Sequence, residues 1–152
     1  MMTEIIPNLW VGNLKSRNDL HFLVSRNIMC VINCCKHDII DRYGIISLPL
    51  NIKQVHLGII EHGPEDQRSI NSMLVVLESC YSMIDYYLNK GQSVLVHCYA
   101  GKQRSPTIIM AYLIRKCGLD PKNANHIVKT IWPYSGSDYL KSLYLYKNEQ
   151  LH

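Results

Sequence analysis

Residues 97–105 read His-Cys-Tyr-Ala-Gly-Lys-Gln-Arg-Ser, so that Cys98, Arg104 and Ser105 bring a nucleophile, a fixed cation and a hydroxyl to the two ends of one short loop. The loop leads from an apolar segment into a helical one, and its backbone N–H groups and the positive end of the helix dipole converge on one small volume. An anion is stabilised there. A phosphate would accept from the amides of Tyr99, Ala100, Gly101, Lys102 and Gln103, and the same field favours the thiolate of Cys98 over the thiol. Arg104, six residues after the cysteine, closes the ring and offers two parallel N–H bonds to one phosphate group, a geometry that lysine lacks. Gly101 gives the cradle a residue free to take an unusual backbone angle. Ser105 is near enough to donate a hydrogen bond to the Cys98 sulfur when that sulfur departs. Together these residues specify phosphoryl transfer through a phosphocysteine. The other reading of Cys98 is a buried thiol at a strand end, the usual fate of a reduced cysteine.

Such a loop needs a strand before it and a helix after it. Ser-Val-Leu-Val-His at 93–97 reads as a buried strand, and Gly91 ends the helix that precedes it. Pro106 suits a first helical position, and 107–117 continues as an apolar helix closed by Gly118. Residues 28–34 (Ile-Met-Cys-Val-Ile-Asn-Cys) are apolar on both alternating faces, the pattern of a central strand covered by helices on both sides. Residues 7–12 read as a short edge strand ended by Gly12-Asn13. Ser16 reads as the cap of a short helix running to Asn27, with Leu20, Leu23 and Val24 on one face, and 45–50 as a further strand. From Ile70 the apolar positions 70, 73, 74, 77, 80, 81, 84, 87 and 88 keep helical spacing, with Asn71, Glu78, Ser82, Asp85 and Asn89 opposite. One long amphipathic helix is predicted. Ahead of it lies an irregular stretch, 51–66, of a length that compact domains reserve for function. Two more helices, 121–131 and 137–150, flank Trp132-Pro133. This order of elements makes an α/β fold, a central, mostly parallel sheet with helices on both faces.

The 152 residues suit a single domain. Hydrophobic residues at 47% against 18% charged exclude a disordered chain, since enough apolar surface exists to offset chain entropy. The longest apolar run, 108–114, has seven residues, far short of the ~20 of a membrane span. Residues 1–7 lack the basic start and apolar core of a secretory signal, so an intracellular, cytoplasmic protein is expected, with entry to the nucleus open. The six cysteines (30, 34, 35, 80, 98 and 117) contain no C-x-x-C pair, which points to reduced thiols rather than zinc. A net charge of +4 is spread along the chain, which favours anionic partners without the concentrated patch that nucleic acid needs. No nucleic-acid partner is expected. With little chain before Ile5 to add a dimerising helix, a monomer is expected as well.

His97-Cys98-x5-Arg104-Ser105 resembles the signature of the cysteine-based protein tyrosine phosphatases. The continuation Ser105-Pro106-Thr107, with Ala111-Tyr112-Leu113 further on, is similar to the dual-specificity branch. So are the opening Ile6-Pro7-Asn8-Leu9-Trp10-Val11-Gly12 and the strand ending Val31-Ile32-Asn33, and the likeness spans residues 5–145. The resemblance implies a phosphotyrosine protein phosphatase-like fold and a two-step hydrolysis of phosphomonoesters on proteins, phosphotyrosine and also phosphoserine and phosphothreonine, with no metal or cofactor. Cys98 attacks phosphorus, the loop amides and Arg104 hold the transferring group, and a carboxylic acid protonates the departing alcohol. Water then hydrolyses the phosphocysteine.

The family takes its acid from a loop ahead of the cysteine, which selects Asp66, 32 residues upstream, with Glu65 and Glu61 as substitutes. The other reading is that Glu65 and Asp66 merely favour the positive end of the next helix. His97 is expected to orient the loop through hydrogen bonds to backbone carbonyls. Tyr99 and Tyr134, Tyr139, Tyr144 and Tyr146 are candidates for a pocket rim, those of the last helix packing inward instead. Cys34-Cys35 ends the strand expected beside the Cys98 loop, so Cys35, or else Cys34, is a redox partner able to trap oxidised Cys98 as a disulfide. Two packed core thiols are the other reading. Lys102 is similar to the loop lysines of phosphoinositide-directed relatives, whereas relatives acting on RNA 5′-phosphates continue Arg-Thr-Gly where this chain has Arg104-Ser105-Pro106. The rival from outside the enzymes is a phosphate-binding module without turnover, and the presence of Cys98, Arg104 and Ser105 speaks against it.

Overall fold

Val94, Leu95 and Val96 have no exposed surface, a condition met by a strand with neighbours on both edges and cover on both faces. The computed structural model, which describes residues 2–36 and 47–150, provides both. Its strands are β1 (Met2–Ile6), β2 (Leu9–Gly12), β3 (Ile28–Asn33), β4 (Lys53–His56) and β5 (Ser93–His97). They form one sheet in the order β1-β2-β5-β3-β4, in which only the β1–β2 pair is antiparallel. Residue alternation divides β3 and β5 between two cores. Cys30, Ile32, Val94 and Val96 face the larger one, while Val31 and Leu95 face a smaller one with Leu23, Leu48 and Ile52.

The helices are α1 (Leu14–Arg17), α2 (Leu20–Ser25), α3 (Gln67–Leu74), α4 (Leu77–Asn89), α5 (Arg104–Cys117), α6 (Pro121–Ile131) and α7 (Leu140–Gln150). Helix α5 fills the middle of the larger layer, with residues 104–114 all buried. Its N-cap, Gln103, makes no side-chain capping bond. Tertiary burial must therefore hold it, and each fully buried Ile or Leu contributes about 1.5–3 kcal/mol. The consequence is functional, because a helix that had capped its own first turn would have fewer donors left for an anion.

In register, Gly12 of β2 and Asn33 of β3 both lie opposite His97. The carboxyl ends of three parallel strands therefore meet where β5 turns into α5, the edge at which open α/β sheets bind ligands.

The structure corrects several local expectations. Strand β2 is not at the edge, since β1 pairs outside it. The helix expected from Ser16 to Asn27 is two helices: Asn13 caps α1 and Asp19 caps α2, while Ser16 is the third residue of α1 and closes a capping box with Asn13. Of its expected apolar face only Leu23 is buried, and Leu20 and Val24 are exposed. Of the strand expected at 45–50, Ile45 and Ile46 lie outside the described residues, and 47–50 are irregular. The strand at the edge opposite β1 is β4, inside the stretch 51–66 whose pattern reads as irregular. The long helix from Ile70 begins at Gln67 and divides at Val75-Val76, where the Val76 N–H reaches Met73 O and tightens one turn. Pro106 is the third residue of α5 rather than its first, still within the turn that needs no N–H.

Candidate functional site

A loop whose amides point inward must point its carbonyls outward, and each outward carbonyl then needs a donor. Five of them find one. Cys98 O lies 3.4 Å from His97 Nδ1. Tyr99 O accepts from Leu14 N–H at 3.1 Å, and Lys102 O from Gly136 N–H at 2.7 Å. Gly101 O accepts from the Trp132 indole at 2.6 Å, and Gln103 O from the Thr107 hydroxyl at 2.6 Å. The Gln103 side chain in turn accepts from Asp138 N–H at 3.0 Å. The loop is thus held by β5, by the β2–α1 turn and by the segment between α6 and α7. Gly101 has φ +74°, and a Cβ there would stand 3.0 Å from Gly12 O and 3.2 Å from the Trp132 ring. Glycine is required by both angle and space.

Cys98 is buried, with its sulfur 3.3 Å from the Ser105 hydroxyl, which also reaches Gly12 O at 3.4 Å. One hydroxyl has one proton to give. Beside a thiol, Ser105 can accept from sulfur and donate to Gly12 O; beside a thiolate, it can turn and donate to sulfur. Arg104 is also buried, its Nη1 donating to Ile59 O at 3.3 Å and its Nη2 lying 3.4 Å from Glu61 Oε2. Burial works to lower the guanidinium pKa, but Cys98, Glu61, Cys35 and Cys34 outweigh it and raise it. Nε has no partner among the described residues, a donor left for an oxyanion.

The carboxylates of the upstream loop divide in two. Asp66 caps α3, accepting from Ser69 N–H at 2.9 Å and Ser69 hydroxyl at 2.7 Å. Those bonds hold its pKa below the usual carboxylate value. Glu65 pairs with Lys141 on the surface. Glu61 is the carboxylate at Arg104, and the backbone that carries it is anchored on both sides. Ile60 N–H donates to Ser72 Oγ at 3.0 Å and His62 N–H to Ser69 Oγ at 2.9 Å, while Ile60 O accepts from the Tyr139 hydroxyl. Of the other tyrosines, Tyr146 is buried, whereas Tyr99, Tyr134 and Tyr144 are exposed.

His97 is fully buried, and burial above all pushes its pKa down to about 3, with Arg17, His56 and Arg104 adding repulsion against the bond to Cys98 O. The ring is neutral at pH 7. Cys34 and Cys35 are buried at the end of β3, where Cys34 N–H donates to His97 O at 2.9 Å and Cys35 N–H to Asn33 Oδ1 at 2.8 Å. Burial pushes the Cys34 thiol well above its ordinary value, and the nearby Cys98 and Cys80 add to that while Arg104 opposes it.

The order strand, loop, helix at 93–117 is legible in the sequence, whereas the contacts of Trp132, Ser69 and Ser72 are not, and Tyr139 is legible only as a pocket-rim or inward-packing residue. Trp132-Pro133 is legible as a helix break, yet nothing local says that the indole meets Gly101.

The family model described as the catalytic domain of dual specificity phosphatases matches residues 9–149. Dual specificity protein phosphatase 1B of Arabidopsis thaliana is 31% identical over 129 residues, which cover 85% of this chain and 70% of that protein. Several other curated relatives are longer, the chain spanning as little as 18% of their length. The crystal structure of human DUSP28 matches with a TM-score of 0.83 at 18% identity, covering 99% of this chain and 95% of that one. The human tyrosine phosphatase-like serine/threonine/tyrosine-interacting protein gives 0.83 at 24% identity, covering 99% and 98%.

Proposed function

Because the chain belongs to the dual specificity phosphatase family and so is a cysteine-based protein phosphatase, we propose that it hydrolyses phosphotyrosine, and also phosphoserine and phosphothreonine, through a phosphate carried on Cys98. The observation that carries this reading is the sulfur of Cys98 at the base of a loop whose carbonyls are bonded outward, beside a guanidinium with a donor to spare.

The substrate phosphate enters the loop, accepts from its amides and takes the free donors of Arg104, displacing Glu61. The Cys98 thiolate attacks phosphorus; an S–P bond forms as the P–O bond to the side chain breaks. A carboxyl delivers the proton that the departing oxygen needs, and Glu61 is better placed for this than Asp66, whose oxygens are engaged with Ser69. Water then attacks the phosphocysteine, giving its proton to the same carboxylate, and Ser105 turns to donate to the departing sulfur. Neutral His97 holds Cys98 O and takes no proton. Tyr99, Ala100 and Lys102 are exposed, which supports access for the short phosphoserine side chain as well as phosphotyrosine.

Hydrolysis of a small aryl phosphate, with Cys98→Ser as control, tests the reading. Turnover in the parent that the substitution abolishes supports it. Phosphate binding in the parent without turnover would make the chain a binding module instead.

A further inference from the structure

Beside the phosphate loop lies a cavity of about 370 Å³ for which the reaction above has no use, lined by Asn13, Leu14, Lys15, Asn18 and Tyr99. Its size is at the small end of the ~300–1,000 Å³ range of ligand pockets, enough for one side chain rather than a large ligand. It meets the phosphate loop at Tyr99. Tyr99 follows Cys98 in the chain, and its carbonyl holds Leu14 N–H at 3.1 Å, which fixes the β2–α1 turn against the first residue of the loop.

The lining has a definite chemistry. Lys15 is exposed and has no carboxylate within ion-pair distance among the described residues. Asn13 Oδ1 is taken by the Ser16 N–H and hydroxyl at 3.1 and 3.0 Å, so the donor end of that amide is what remains for a ligand. Leu14 and the Tyr99 ring supply apolar walls. An ammonium and an amide donor in a pocket with apolar walls complement a short acidic side chain. A lone lysine is not the cluster of 4–8 basic residues that reads as a lipid-binding surface.

We propose that this cavity is a substrate subsite, receiving an acidic residue that flanks the reacting phosphoresidue in a protein. The proposal rests on the phosphatase reading above and deepens it. One extended residue spans about 3.3–3.6 Å, so a cavity that begins at the residue after Cys98 selects positions one or two removed from the phosphoresidue.

The test uses tyrosine phosphopeptides that differ only at the flanking positions, carrying glutamate, alanine or lysine. The readout is the ratio of kcat/KM for acidic over alanine peptide within one enzyme, for the parent, Lys15→Gln and Lys15→Glu. The expected ratio is about five in the parent, the most that a solvent-exposed ion pair supplies. It falls to about one in Lys15→Gln and inverts in Lys15→Glu, which then prefers the lysine peptide. A ratio that is the same in all three enzymes overturns the subsite. Loss of the Lys15 effect is distinguishable from failure of the underlying reading: a parent that turns over neither the peptides nor a small aryl phosphate refutes phosphatase activity itself.

Discussion

Replacing Glu61 by Gln should move two measurements in opposite directions. The Glu61 carboxylate stands 3.4 Å from Arg104 and is 35% exposed, whereas Asp66 is turned towards Ser69. If Glu61 delivers the proton, its loss costs about 10²–10⁴ in kcat. The loss is steepest for a phenol-like leaving group such as tyrosine and least for an activated nitrophenol, which departs without help. The same substitution removes the competitor for Arg104. A pair this exposed is worth about 0.2–1 kcal/mol after screening, so vanadate, which needs the guanidinium, binds about 1.4- to 5-fold more tightly. Asp66→Ala acts elsewhere, removing the α3 cap and lowering the melting temperature by about 2–4 °C without changing how kcat depends on the leaving group. The assay is steady-state kinetics over a series of aryl phosphates, with vanadate inhibition and thermal melts on the same proteins. A leaving-group-dependent loss in Asp66→Ala, with Glu61→Gln close to the parent, would return the proton to Asp66 and refute the assignment.

Other outcomes follow from the same geometry. Burial lowers His97 from 6.5 to about 3, so below pH 6.5 the unfolded chain binds a proton that the folded one refuses. Stability is fully present above pH 6.5 and falls towards pH 3 by up to ~1.4 kcal/mol per pH unit. Urea melts across that window should show a shallower slope in His97→Gln, and an unchanged slope would contradict the buried neutral ring. Trp132→Phe removes the donor to Gly101 O, and vanadate affinity and kcat/KM should fall together by about tenfold, the worth of one buried hydrogen bond; a loss of thermal stability alone would reduce Trp132 to packing. Peroxide converts the Cys98 thiolate to a sulfenic acid, and attack by the Cys35 or Cys34 thiol expels water and leaves a disulfide. Mass mapping should find that cross-link and a dithiol should reverse it, whereas overoxidised Cys98 without a cross-link would leave Cys34 and Cys35 as core thiols.

The parts legible in the sequence are those whose cause is local. Strand β5, the Cys98 loop and α6, which Asp120 caps with Pro121 as its first residue, follow from runs and punctuation within a dozen residues. The left-handed Gly118 that closes α5 is of the same kind. Apolar residues on both faces of 28–34 sufficed to put β3 in the interior. The misses have tertiary causes. Only Ile5 of β1 is buried, so no apolar pattern announces that strand. In the stretch between Arg17 and Asn27, Leu20 and Val24 keep helical spacing but stay exposed, and only Leu23 enters the smaller core. The carboxylate at Arg104 could not be chosen from spacing, since Glu61, Glu65 and Asp66 lie within six residues of one another. Their fates are set by Ser69, Lys141 and Tyr139, groups on α3, on α7 and beside it.

The most direct test looks for the covalent phosphate itself. The parent enzyme is mixed rapidly with an aryl phosphate, quenched in acid within a turnover, digested and mapped by mass spectrometry. One phosphate on the peptide containing Cys98, absent in Cys98→Ser and decaying at the rate of turnover, is the expected result. Undiminished hydrolysis by Cys98→Ser, or phosphate found on another side chain, would contradict the central role given to that sulfur.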